Sequence, residues 1–138
     1  MTATAIAPAA TTGRVANRAL WTVQIVVGLF LVVGSAAPKL FGQEYAVAMF
    51  EAMGSGQWLR YVVGVLELAG GVGLLLAPIA AAAATGLVAL MIGAMITQVF
   101  VLHNPADVVT PILIGALTVV VAVARRHRLA AFVRGLRR

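Results

Sequence analysis

One acidic residue lies in the middle of an otherwise apolar stretch. A carboxyl group at such a place is able to orient or protonate a ligand. Glu67 follows Arg60 by seven positions, which corresponds to about 10 Å along a helix at 1.5 Å per residue. An ionised carboxylate at the centre of a membrane helix costs about 2.5 kcal/mol or more unless it is paired or hydrated. We therefore expect Glu67 to face the interior of a helix bundle, where it serves a ligand site or clamps two helices together.

Three other polar side chains are placed to meet Glu67. Arg60 lies two turns away on the same helical face, Lys39 follows the preceding apolar run, and Gln98 lies within the next one. A lysine at this place either marks a membrane surface or reaches inward from a helix end that Pro38 bends. We predict a polar cluster joining three helices, with Lys39 at the rim of a pocket and Glu67 at its floor.

Two aromatic residues at the start of the same helix complete the candidate set. Trp58 and Tyr61 lie near a predicted membrane surface, where aromatic belts form, and their rings are also able to line a pocket. The candidate ligand-binding residues are Lys39, Arg60, Glu67, Gln98, Trp58 and Tyr61.

The residue types exclude several kinds of site. The chain has no cysteine, which excludes disulfides, thiolate metal sites, iron–sulfur ligation and cysteine nucleophiles. His103 and His127 fall on opposite sides of a predicted span, so we expect no bis-histidine haem within one chain. No set of His, Asp and Glu has metal-ligand spacing and no nucleophile lies beside a base, so we predict no metal and no catalytic residue.

The composition indicates an integral membrane protein. Of 138 residues, 62% are hydrophobic and 10% are charged, and the mean hydropathy is +1.05. A soluble domain of this size needs a polar surface that these residues do not supply. We predict an all-α fold, a bundle of four transmembrane helices.

Apolar runs with turn signals between them define the predicted spans, which cover about residues 20–38, 58–77, 79–102 and 108–124. Pro78 divides an uncharged run that is too long for one crossing, so spans two and three form an antiparallel pair. Gly42 is expected to end the region of the first span, and Asp107 to cap the fourth. Residues 1–16, rich in alanine and threonine, are predicted to be a disordered tail.

The charges predict the orientation in the membrane. Four spans place both termini on one side, and that side holds eight of the ten basic residues. The positive-inside rule then puts both termini in the cytoplasm. Since topology explains these arginines, nucleic-acid binding is not predicted.

Two further segments have the pattern of helices lying on a membrane surface. Between spans one and two, Tyr45, Met49 and Met53 repeat at helical spacing, and Gly54 follows them, so we predict a short amphipathic helix on the outer side. Residues 125–138 form a basic cytoplasmic tail whose apolar residues share one face, which is typical of a helix on anionic lipid.

Small residues indicate how the helices pack, because membrane helices associate through close backbone contact. In span three, Ala82 with Gly86 and Ala89 with Gly93 have the spacing of a close helix contact. We predict that spans two and three form the tightest pair.

Two stretches carry a family likeness: Lys39-Leu40-Phe41-Gly42 after span one, and Gly64-Val65-Leu66-Glu67-Leu68-Ala69-Gly70-Gly71 in span two. Together with the four spans they resemble the DoxX and DoxX-like family over roughly residues 18–124. The resemblance implies a small four-helix protein of the bacterial inner membrane, and Lys39 and Glu67 match its recurring polar positions. Some relatives belong to a thiosulfate:quinone oxidoreductase, and others are regarded as membrane anchors of soluble redox enzymes.

Three functions fit these observations. In the first, the chain is a redox-associated membrane subunit that holds a quinone or similar hydrophobic ligand and docks an oxidoreductase. It is then not an enzyme on its own, and at most a quinone-reactive subunit. In the second it is a non-catalytic anchor or assembly subunit of a larger complex, and in the third a small transporter that works as an oligomer. The expected partners are the lipid bilayer and an oxidoreductase subunit or further copies of the chain.

Overall fold

The computed structural model describes residues 9–138, with side chains from residue 13 onward. All regular structure in this part of the chain is helical. Four helices are long and apolar enough to cross a membrane, which confirms the predicted all-α architecture. These spans are Gly13–Phe41, Gln57–Leu75, Ala80–Val101 and Pro105–Ala124.

The spans are built from several helical segments. Span one comprises α1 (Ala9–Leu29), a π-helix (Phe30–Ala36) and α2 (Ala37–Phe41). Span two is α4 (Gln57–Leu75), and span three is α5 (Ala80–Ile96) with a second π-helix (Thr97–Val101). Span four follows a 3₁₀ turn (Pro105–Val108) as α6 (Val109–Ala124). The two amphipathic helices are α3 (Glu44–Ala52) and α7 (Arg126–Leu136).

The ends of the first and last spans differ in part from expectation. Of the predicted disordered tail, residues 1–8 lie outside the described residues and residues 9–16 form the first turns of α1. Gly42 ends α2 in the left-handed conformation with φ 71°, as predicted. Asp107 does not cap α6: it lies in the 3₁₀ turn and accepts a 2.8 Å hydrogen bond from Asn104 Nδ2.

The first π-helix explains how span one continues past Pro38. A proline lacks the N–H that an α-helix needs, and its ring clashes with the carbonyl four residues earlier. Here the N–H of Ala37 bonds to the carbonyl of Val32, five residues earlier, and this wider turn accommodates the ring. The helix therefore runs through Pro38 to Phe41.

The closest backbone approach shown by the glycines joins spans one and two. A Cβ added at Gly28 would lie 2.9 Å from the carbonyl oxygen of Gly71, and one added at Gly71 would lie 2.9 Å from that of Gly28. Gly70 makes room for Leu87 of span three. Spans two and three also pack closely, since a Cβ added at Gly73 would lie 2.6 Å from Ala83 Cβ. The predicted glycines of span three do not make this contact, because a Cβ at Gly86 or Gly93 would meet nothing within 4 Å.

A buried polar network joins three spans at the end of the bundle that holds the C-terminus. Gln24 is fully buried and donates a 2.7 Å hydrogen bond from Nε2 to the carbonyl of Leu74 in the last turn of α4. Arg125 Nε donates to Gln24 Oε1 at 2.6 Å, and its guanidinium lies 5.1 Å from the Trp21 ring centroid. This network satisfies a carbonyl that the helix leaves without a partner and closes this end of the bundle.

Replacing Gly71 by alanine tests the close approach of spans one and two. The new methyl group would press on the Gly28 carbonyl, and overpacking of this kind costs about 1–3 kcal/mol. We expect the thermal unfolding midpoint in detergent to fall by several degrees. Gly86→Ala is the matched control, since its Cβ meets open space and the same gain in helix propensity applies. Equal midpoints for the two variants would show that this approach does not limit the packing.

Candidate functional site

A largely buried ion pair joins spans one and two at the other end of the bundle. Lys39 Nζ lies 2.8 Å from Glu67 Oε2, and the two side chains are 13% and 7% exposed. Removing either partner from such a buried pair leaves an uncompensated charge, which is strongly destabilising. The structure thus places Lys39 inward and gives Glu67 the positive partner that its depth requires.

Lys39 reaches Glu67 because its ammonium is held by its own helix. Nζ donates hydrogen bonds to Ser35 Oγ at 2.9 Å and to the Ser35 carbonyl at 3.2 Å. Ser35 belongs to the π-helix, whose carbonyls lack regular α-helical partners. Span one also lies close against span two here, since a Cβ added at Gly64 would come within 3.3 Å of Lys39 Cβ.

Arg60 is buried beside the pair but caps a helix instead of contacting Glu67. One terminal guanidinium nitrogen donates to the carbonyl of Lys39 in the last turn of α2, and Nε donates to Gln57 Oε1 at 2.6 Å. Such a cap satisfies a carbonyl at a helix C-terminus. Arg60 therefore positions the backbone that carries Lys39 and leaves the carboxylate of Glu67 to the lysine.

A cavity of about 590 Å³ opens on this ion pair. It lies between span one, α3 and span two on one side and spans three and four on the other. Lys39, Glu67 and Gln98 all line it, and the rest of its wall is mainly apolar. The structure thus brings together three of the six predicted binding residues around one space.

Gln98 enters the cavity from the second π-helix. The N–H of Leu102 bonds to the carbonyl of Thr97 at 3.0 Å, and the N–H of Asn104 bonds to that of Gln98 at 2.9 Å. This widened turn replaces the regular α-helical register at the end of span three. Both π-helices therefore border the same cavity, which is a frequent place for such turns.

One acceptor atom in this cavity wall, Gln98 Oε1, is buried without a hydrogen-bond donor among the described residues. Glu67 Oε2 is buried too, but it lies 2.8 Å from Lys39 Nζ, whose positive charge compensates it. Buried acceptors normally have partners. A ligand that presents a donor to this corner would satisfy Gln98 Oε1.

The amphipathic helix α3 covers the cavity at the bundle end. Tyr45, Met49 and Met53 line the cavity from above, as their predicted common face requires, and Phe50 joins them. Glu44 and Glu51 are exposed. Glycines with positive φ bound the helix, Gly42 before it and Gly54 and Gly56 after it. A hydrogen bond of 3.2 Å from Gln57 Nε2 to the Val47 carbonyl ties α3 to the start of α4.

The two candidate aromatic residues point away from the cavity. Trp58 is 64% exposed and Tyr61 is 49% exposed, and neither lines the cavity. The Tyr61 ring lies 4.2 Å from the Arg60 guanidinium carbon, a cation–π contact. Both rings lie on the outer surface of the bundle, where a membrane-interface belt would be.

The composition of the cavity wall determines what it is able to bind. Leu31, Met91 and Ile114 provide a buried apolar surface, and the ion pair with Gln98 forms one polar corner. Cavities of this kind bind apolar molecules and orient them by a few polar contacts. Within residues 9–138, no group of three His, Asp or Glu side chains is placed to hold a metal ion.

Comparison with known proteins places the chain in a family. The sequence profile of the DoxX-like family matches residues 22–121, which is most of the chain. The chain belongs to the DoxX-like family. The matched DoxX-like segment contains the whole cavity and both members of the ion pair, whereas α7 lies beyond it. No curated protein and no solved structure gives a significant match.

A double-mutant cycle tests the ion pair. Glu67→Gln or Lys39→Met alone leaves one charge buried, so each should lower the free energy of unfolding by about 3 kcal/mol. The combined variant should lose less than the sum of the two by about 1–3 kcal/mol. Thermal unfolding in detergent measures all three.

Glu51→Gln serves as the control for the cycle, since this carboxylate is exposed on α3 and its loss should change the midpoint little. Additive losses in the combined variant would mean that Lys39 and Glu67 do not stabilise each other.

Proposed function

We propose that this DoxX-like membrane protein holds a quinone or similar hydrophobic ligand as part of a redox system. The ligand lies in the cavity between spans one and two on one side and spans three and four on the other. The observation that supports this most is the corner formed by Lys39, Glu67 and Gln98 inside an apolar space of about 590 Å³. A ligand with a long apolar body and a polar head matches a cavity that is apolar except for one polar corner.

The residues present fit the chemistry of a quinone. Its ring oxygens accept hydrogen bonds when oxidised and carry hydroxyl donors when reduced. The ammonium of Lys39 and the amide of Gln98 are donors, and the unsatisfied acceptor Gln98 Oε1, with the carboxylate of Glu67, suits hydroxyl groups. The aromatic and thioether side chains of Phe30, Met49 and Phe50 provide an adaptable wall for the ring.

Each polar residue has a definite task in this proposal. Lys39, held by Ser35, directs a fixed positive charge at one ligand oxygen. Glu67 balances that charge and is the one carboxyl group in the cavity wall that lies against it. Arg60 keeps Lys39 in place through its backbone, so it acts on the ligand only through the lysine.

A redox role requires a partner. A bound quinone supplies two-electron, two-proton chemistry, but the chain has no cysteine for thiol redox reactions. We propose that an oxidoreductase subunit exchanges electrons with the ligand. A non-catalytic anchor or assembly subunit is the alternative role, and the exposed carboxylates of α3 would then belong to a docking surface.

The distribution of charge supports an orientation with the cavity on the outer side of the bacterial inner membrane. All four acidic residues belong to the cavity end of the bundle, whereas eight of the ten basic residues belong to the end that carries the termini. By the positive-inside rule, that basic end faces the cytoplasm.

Filling the cavity tests the proposal. Gly93 lines it, and a Cβ there meets nothing within 4 Å, so Gly93→Leu adds bulk at the cavity wall from an open position. We expect the quinone that co-purifies with the protein in native-membrane discs, measured by mass spectrometry, to fall to the level of the bulk membrane. Glu67→Gln should lower it about tenfold or more, because a hydrogen bond to a charged group contributes about 1.5–3 kcal/mol.

Gly86→Leu is the matched control. It makes the same substitution on the same helix, at a glycine that is equally open but does not line this cavity. The proposal fails if the wild-type protein holds no more quinone than the surrounding membrane, or if both leucine variants lose it equally.

A further inference from the structure

A second, smaller groove lies on the outside of the bundle between spans two and three. Its volume is about 370 Å³, and it is lined by residues such as Leu66, Gly70, Leu87 and Leu90. The groove begins near the turn between α4 and α5, where Gly73 and Ile79 form its wall, and extends towards the middle of the spans. It is thus an apolar channel that opens at the end of the bundle carrying the C-terminus.

The C-terminal helix α7 is part of this groove. Phe132 of α7 contributes to its lining, and Arg128 Nη1 donates a 3.3 Å hydrogen bond to the carbonyl of Ala77 in the turn between α4 and α5. These contacts hold α7 across the end of spans two and three. The helix therefore lies at the level of the membrane surface and carries its arginines to the open end of the groove.

The open end of the groove, its rim, carries positive charge. No acidic residue among residues 9–138 lies at this end of the bundle to compensate it. Arg128 is exposed, and of its five N–H donors the bond to Ala77 uses one. Burial and then the charge of Arg128 lower the pKa of the neighbouring Arg125 guanidinium, so the two cations disfavour each other. An anion placed at the rim would relieve this repulsion.

We propose that the groove and α7 form a binding site for one anionic phospholipid, with an acyl chain in the groove and the phosphate beside Arg128. Charge complementarity selects the occupant. Basic pockets between transmembrane helices on the cytoplasmic side suit anionic headgroups, and an acyl chain that fits the groove gains van der Waals contacts with its wall. A second copy of the chain would instead bring another basic end against this one.

The site is tested by competition between two lipids that differ only in the headgroup. The full-length protein is purified in an equimolar mixture of phosphatidylglycerol and phosphatidylcholine with identical chains, and the retained lipid is counted by native mass spectrometry. We expect the wild-type protein to retain phosphatidylglycerol in preference, by about fivefold for each arginine that contacts the phosphate.

Two variants separate the headgroup from the chain. Arg128→Gln removes the charge and keeps an amide donor for the Ala77 carbonyl, so it should reduce the preference for phosphatidylglycerol while leaving some lipid bound. Gly86→Leu fills the groove, which Gly86 lines without neighbours within 4 Å of its Cβ, and should lower the retention of both lipids. Gly93→Leu, which lies in the other cavity, should change neither.

Three results would each overturn the proposal. Equal retention of the two lipids by the wild-type protein would show that the rim does not select an anion. A preference that survives both Arg128→Gln and Gly86→Leu would place the anionic lipid elsewhere. If inorganic phosphate displaces phosphatidylglycerol completely, the rim binds free phosphate and the groove holds no chain. Because Gly86→Leu and Gly93→Leu act on different spaces, failure here is distinguishable from failure of the quinone proposal.

Discussion

A carboxylate inside a membrane bundle has to meet a positive charge, and the structure around the cavity follows from how Lys39 meets Glu67. The lysine approaches from span one, so that span has to lie tightly against span two, and Gly64 permits this contact. Ser35 then holds the ammonium and Arg60 holds the backbone carbonyl. The pair is therefore a joint between two helices as well as the polar corner of a cavity.

Widened turns shape the space around that joint. Both π-helices lie in spans that border the cavity, and each contributes a polar residue to it, Ser35 from the first and Gln98 from the second. A π-helical turn contains one more residue than an α-helical turn, so it changes which side chains face inward further along the helix. At the opposite end, the network of Gln24 and Arg125 draws three spans together. The bundle is thus closed by polar contacts at one end and spread apart by a cavity at the other.

The sequence predicts the four spans, because long apolar runs in a chain this rich in hydrophobic residues have few alternative structures. It also singles out Lys39 as a candidate partner of Glu67, since a buried carboxylate has few available partners, but it does not decide between that role and a lysine that marks the membrane surface. It does not predict the role of Arg60, because a long side chain two turns from a carboxylate reaches several acceptors equally well. The π-helices are missed as well: Pro38 signals a disturbance but not its form, and no proline marks the second.

Glu67 and Lys39 carry opposite charges that lie 2.8 Å apart, and together they add no net charge to the interior of the protein. A single charge that crosses the whole membrane changes energy by about 2.3 kcal/mol per 100 mV of membrane potential, whereas a compact neutral pair is nearly insensitive to it. An uncharged ligand that entered beside this pair would therefore meet the same electrostatic environment whether or not the membrane is energised.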